Sequence, residues 1–229
     1  QDWVDSMWWQ VGAAIAAALA AYGYRTLSHA GTFHKVVVEK KSFDACRIVY
    51  KKYVGKYSDC GTKFGEVVAL TNEVIKEMEN TIYRSVGVWI DDPTKVPANK
   101  TRYAIGIFLP EGETGKAIEK TLAANGYESQ DLPRATCVTT SFPFNGLLSI
   151  IIGVNKVYPA LRKAALEANE PNPGPYFELH FVDPMATGCT NGLVYHYGVV
   201  DHQKHFLLGL PDSSEYLKEI RQAEDGKEH

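Results

Sequence analysis

No basic excess marks this sequence. Among 229 residues, 24 Lys and Arg stand against 27 Asp and Glu, a formal net charge of −3. Nucleic-acid binders need a clustered cationic surface to displace counterions, so no nucleic-acid partner is expected. The lysine runs at Lys35, Lys40, Lys41 and at Lys51, Lys52, Lys56 read as solvated strand faces. Cysteine is sparse too: Cys46, Cys60, Cys137 and Cys189 stand far apart, with no pair at metal-ligand spacing. His202 and His205 share a three-residue spacing but have no third ligand nearby, so neither a metal nor a cofactor is expected. A chain of this length needs no disulfide staples, and reduced thiols are the default. Cys46 and Cys60 are the pair that could close a hairpin in an oxidising compartment.

The most informative absence is of charge, from Ser6 to Tyr24 (SMWWQVGAAIAAALAAYGY). Such a run is near the minimum for a helix to span a bilayer core, and its ends carry Trp8, Trp9, Tyr22 and Tyr24, where interfacial aromatics belong. Asp2 and Asp5 precede it and Arg25, His29 and Lys35 follow, so the positive-inside bias places the rest of the chain in the cytosol. The alternative is an alanine-rich helix packed on the domain, since Ala is weakly hydrophobic and Gln10 interrupts the run. A cleavable signal fits less well, because no basic region leads the segment. The chain therefore divides into an N-terminal hydrophobic segment (1–30), read as a membrane anchor, a folded domain (31–210) and a charged tail (211–229).

The domain is organised around Ser85 to Leu109, two strand-like runs joined by a turn-rich loop. Val86, Val88 and Ile90 alternate with Ser85, Gly87 and Trp89, and side chains on a strand alternate between faces. The aliphatic set then lines a core, and Trp89 lies on the face that helices leave uncovered. The pattern recurs at Phe177, Leu179 and Phe181, interleaved with Tyr176, Glu178 and His180 and followed by a second Asp-Pro, Asp183-Pro184. This recurrence predicts an internal duplication, with a groove where the two copies meet. In chain order, strands are expected at Gly31–Phe43 and Arg47–Val54, then a helix at Phe64–Met78 with apolar residues at helical spacing. After the two central strands come a short helix at Glu113–Asn125 and a strand at Arg134–Phe142. Gly146–Ala168 is a long apolar helix bent or broken at Pro159, and Tyr176–Val182 with Leu193–Val200 closes the sheet. The predicted class is α+β: a duplicated strand-helix-strand-strand repeat forming an antiparallel sheet, with helices on one face.

The stretches VYKKYVGKYSDCGTKFGEV, VGVWIDDPTKVPANKTRYAIG, VTTSFPFNGLLSI and PYFELHF resemble the gyrase-inhibitor-like (GyrI-like) family over roughly Arg47 to Val200. The layout of uncharged segment first and domain second is similar to that of its animal single-pass members of the endoplasmic reticulum. The resemblance implies a two-repeat sheet with a ligand groove at the pseudo-two-fold axis. It further implies a bulky aromatic or cationic small molecule as ligand, with haem as a lesser option. Hydrolysis of cyclopropane-bearing alkylating compounds is a second implied activity, and a selective-autophagy receptor or adaptor role a third. Autophagy machinery thus enters as a partner only through the resemblance, and the tail's one aromatic, Tyr216, lacks the aliphatic residue three positions on that a modifier-binding motif needs.

Glu178 is the candidate catalytic residue, as a general base whose pKa partial desolvation would raise. The same carboxylate beside Trp89 would equally suit holding a cation. His180 could orient it. Tyr53, Phe108, Phe142, Tyr176, His180 and Tyr197 join Trp89 as candidate ligand-binding residues, with Tyr57 and Tyr195 as further wall candidates. The loop Asp91-Asp92-Pro93 is read as turn chemistry and not as a metal site.

Overall fold

The computed structural model describes residues 2–78, 82–182 and 189–225. Eight strands form one antiparallel sheet: β1 (Glu39–Phe43), β2 (Cys46–Val54), β3 (Tyr83–Trp89), β4 (Arg102–Phe108), β5 (Glu128–Leu132), β6 (Ala135–Pro143), β7 (Tyr176–Val182) and β8 (Cys189–Val199). Their order across the sheet is β1-β6-β8-β7-β3-β4-β2-β5. The expected duplication is present in that order. β2, helix α2 (Cys60–Glu77), β3 and β4 make one copy. β6, helix α4 (Leu147–Glu167), β7 and β8 make the other, and the copies meet where β3 pairs antiparallel with β7. Helix α3 (Glu113–Ala124) and β5 extend the first copy. The expected second Asp-Pro turn, Asp183-Pro184, lies outside the described residues.

Sequence periodicity accounts for the packing. Val67, Thr71 and Ile75 form a buried stripe on α2, four residues apart, and Ile118 and Leu122 do the same on α3. They cover Val49, Tyr103, Ile105 and Ile107 on one face of the sheet. On α4 the stripe runs Ser149, Gly153, Val157, Leu161 and Ala165. Gly153 lets the helix approach the Phe142 ring, which a Cβ would meet at 3.1 Å. The helix continues through Pro159 without a break, which leaves of the two expected outcomes only a bend. The opposite face of the sheet holds Ile48, Val86, Val88, Ala104, Phe108, Phe177 and Leu179 in a second core. Phe43 on edge strand β1 lies 5.8 Å, ring to ring, from Phe108 on β4, five strands away in the order. The sheet is therefore curled into a half-barrel that closes over its own apolar face, sealed by Phe206 and Leu208 near the short helix α5 (Gln203–Phe206).

Two expectations change here. Only Glu39–Phe43 of the first expected strand pairs with the sheet, although Val36 and Val38 still pack beside α4. The segment 6–24 forms part of helix α1 (Asp2–His29), exposed along its described side chains apart from the half-buried Gly23. Among the described residues, no helix is long and apolar enough to cross a membrane, because alanine dominates the run and Gln10 dilutes it. The tail forms helix α6 (Ser213–Asp225), which docks on the β3–β4 hairpin. Ser213 donates to Asp91 Oδ1 at 2.7 Å, and the Arg102 guanidinium lies 3.8 Å from the Tyr216 ring centroid. Cys46, Cys60 and Cys137 are all free thiols, so Cys46 and Cys60 close no hairpin.

Candidate functional site

A groove of about 2060 Å³ opens on the helix-bearing face of the sheet, between α2 and α4. Its position follows from register. Trp89 pairs with Tyr176 and Gly87 with Glu178 across the β3–β7 junction, and Glu178 pairs in turn with His196 on β8. Alternation sends all five positions to the same side. Gly87 matters here: a Cβ would meet Phe64 Cζ at 2.9 Å and the Trp89 ring at 3.1 Å, so glycine lets two rings converge over the floor. Tyr57, Cys60, Phe64 and Val68 build one wall, and Leu147, Ile151, Val154 and Tyr158 the other.

Glu178 is the centre of a polar cluster below these rings. Tyr158 donates its hydroxyl to Glu178 Oε1, His196 Nδ1 lies 3.3 Å from the same oxygen, and His180 Nε2 lies 3.7 Å from Oε2. Burial pushes the carboxyl pKa upward, yet the imidazoles of His196 and His180 outweigh it and hold the group well below the usual carboxylate range. This reverses the expected upward shift, which weighs desolvation beside Trp89 and does not place His196 at the carboxylate. Burial, reinforced by the Glu178 charge, raises the Tyr158 hydroxyl well above its ordinary value, so it stays a donor. Burial also pushes the Cys60 thiol up to about 11, leaving it without thiolate reactivity.

The aromatic residues interlock around this cluster. Phe64 and Phe144 each meet the His180 ring edge-on at 5.1 Å, and Tyr158 meets the Tyr176 ring edge-on at 5.0 Å. Trp89 is 9% exposed, 5.0 Å from Tyr57 and 5.9 Å from Tyr103. Its indole Nε1 is buried without a hydrogen-bond partner. Trp89 does lie opposite the aliphatic residues of its strand, but on the face that carries helices, where it is a core residue as well as a groove residue.

Of the predicted site residues, the structure brings Trp89, Tyr176, Glu178 and His180 together, with Tyr57 on the wall. Tyr53 lies away from the groove, stacked on Tyr103. Phe142 is buried beneath α4. Phe108, Tyr195 and Tyr197 belong to the opposite face, where Tyr197 stacks on Phe177 at 4.7 Å.

A family model described as a GyrI-like small molecule binding domain matches residues 37–197. The chain belongs to the GyrI-like family. Its GyrI-like domain is 31% identical over 117 residues to testis-expressed protein 264 of Homo sapiens, covering 50% of this chain and 34% of that one. It is 29% identical over 147 residues to the Mus musculus homolog, covering 61% and 45%. The chain thus spans less than half the length of either relative. The crystal structure of the EcmrR C-terminal domain shares the fold, with a TM-score of 0.50 at 12% identity, covering 72% of this chain and 98% of that one.

Sequence reasoning missed Tyr158, His196, Phe64 and Phe144 in this GyrI-like site. His196 could have been found by pairing the last two strands, which sets it opposite Glu178. Tyr158 is the aromatic residue with a polar tip in the groove-facing middle of α4, a signal hidden by attention to Pro159 beside it.

Proposed function

We propose that the groove between α2 and α4 binds a bulky, neutral aromatic small molecule and performs no chemistry on it. The observation that supports this is the pairing state of the floor. Glu178 already accepts a hydrogen bond from Tyr158 and is flanked by the imidazoles of His196 and His180, so its oxygens are taken up by protein groups and are poorly placed to meet an added cation. The walls are rings and aliphatic side chains, which recognise flat apolar surface. The hydrolase reading draws less support, because a carboxyl held low is a weak general base. A membrane-associated setting, at the endoplasmic reticulum with the domain facing the cytosol, extends this reading. It rests on the uncharged stretch 6–24 of α1 and on the resemblance to single-pass members, as does an autophagy-adaptor role.

The test titrates the full chain with neutral N-phenyl-1-naphthylamine and, separately, with cationic crystal violet. Saturable binding of the neutral probe, weakened in Phe64→Ala, supports the proposal. Binding of the cation alone, or of neither probe, overturns it.

A further inference from the structure

The first three turns of α4 carry an apolar surface that the fold does not cover. Leu147 is 72% exposed and Ile151 52%, and Leu148, Ile150 and Val154 are exposed beside them. Five aliphatic side chains within eight residues are far more than the singly scattered hydrophobics of an ordinary surface. The same end of α4 is bolted to the exit of α1. Asn145 Nδ2 donates to the His29 carbonyl at 2.7 Å. Lys156 Nζ donates to the carbonyls of Thr32 and His34 at 2.8 and 2.7 Å, and Gly31 packs against the Phe142 ring. Exposed Phe33, stacked on Tyr24 at 5.4 Å, adds an aromatic residue at that junction. The exit of α1 and the apolar surface therefore share one end of the molecule.

Charge gives this end a direction. The whole chain is net negative, yet residues 6–38 and 132–166 contain no Asp or Glu at all. Those two stretches carry Arg25, Lys35, Arg134, Lys156, Arg162 and Lys163, and Arg25 and Lys35, beside the α1 exit, are exposed. Arg134, Arg162 and Lys163 pair with Asp44, Asp92 and Glu167, and Lys156 is held by backbone carbonyls, so Arg25 and Lys35 are the cations this end presents to an anionic bilayer: apolar side chains enter the headgroup region while these two meet lipid phosphates and carboxylates. We infer that the exposed face of α4 from Leu147 to Val154 docks on the surface of an anionic lipid bilayer, next to the point where α1 leaves the domain.

The test uses the full chain with vesicles of phosphatidylcholine alone or with about 30% phosphatidylserine, a typical anionic composition. Amide hydrogen exchange is compared between free and vesicle-bound protein, and flotation gives the partition coefficient. Slowed exchange confined to α1 and the segment 144–155 is expected on anionic vesicles. The double variant Leu147→Glu/Ile151→Glu, at exposed positions that leave the core intact, should lose that protection at 144–155 and partition about tenfold more weakly. Exchange at 144–155 that is unchanged on bound vesicles overturns the proposal, since α1 alone would then hold the membrane. Failure to float, or equal flotation with neutral vesicles, overturns it as well. A thermal melt of the double variant matching the parent shows that the loss is not unfolding.

Discussion

His196 on β8 faces Glu178 on β7 as its direct cross-strand partner, with 3.3 Å between imidazole Nδ1 and carboxylate Oε1. The pair ties the site's electrostatics to the sheet itself, so protonation in the groove is felt as fold stability. Glu178 titrates below its ordinary 4.5 in the folded protein. A depressed carboxyl pKa contributes stability that is present above the unfolded value and lost as pH falls through the folded one. Glu178→Gln should therefore be destabilised by about 1–3 kcal/mol at pH 6, and the gap should close as pH falls below 4.5. Urea unfolding at several pH values measures this. A gap that widens in acid would contradict the assignment.

Asp91 and Arg102 form the fold's most buried ion pair among the described residues, with Nε–Oδ2 at 2.8 Å and Nη2–Oδ1 at 2.7 Å. Removing one partner strands a charge, which costs about 3–5 kcal/mol. Asp91→Asn and Arg102→Met should each unfold at markedly lower urea, while the double variant should cost less than the sum of the two. Additive losses would mean the pair does not act as a unit.

Two glycines should respond differently to the same substitution. At Gly106 a Cβ would lie 2.1 Å from the Val49 carbonyl oxygen, a backbone atom that cannot give way. At Gly87 the nearest atom is the tip of the Phe64 ring. Gly106→Ala should fail to fold, whereas Gly87→Ala should fold with Phe64 displaced and bind a neutral aromatic probe more weakly. Circular dichroism and probe titration distinguish the two, and a stable Gly106→Ala would refute the packing described between β2 and β4.

The sequon Asn99-Lys100-Thr101 presents an exposed asparagine in the β3–β4 loop. With the domain in the cytosol it should carry no sugar when the chain is made in animal cells, since N-glycosylation is luminal. A glycosidase-sensitive mass shift that disappears in Asn99→Gln would place the domain in the lumen.

Strand-helix-strand-strand order, repeated, was legible because Val86, Val88 and Phe177, Leu179 alternate cleanly and α2 keeps its four-residue stripe. β5 was not: Glu128 to Leu132 is a polar edge strand with a single buried residue, and such a strand has no apolar period to read. Glu178, Trp89, Tyr176 and His180 were legible as one side of two strands. Phe108 and Tyr197 were misplaced, because an aromatic on a strand that is buried on both faces gives no parity signal. The sign of the Glu178 shift needed His196, and cross-strand pairing between β7 and β8 is not written in either strand alone.

Leu147, Ile151 and Val154 stand on the groove wall and on the outer surface of α4 at once. A single row of side chains is thus exposed to two selective demands. Enlarging one of them to suit a bulkier guest also alters the surface outside, and adding charge to make that surface more soluble also wets the groove. Variation along this row is therefore constrained twice over, and relatives that keep an open groove should be least free to change their residues here.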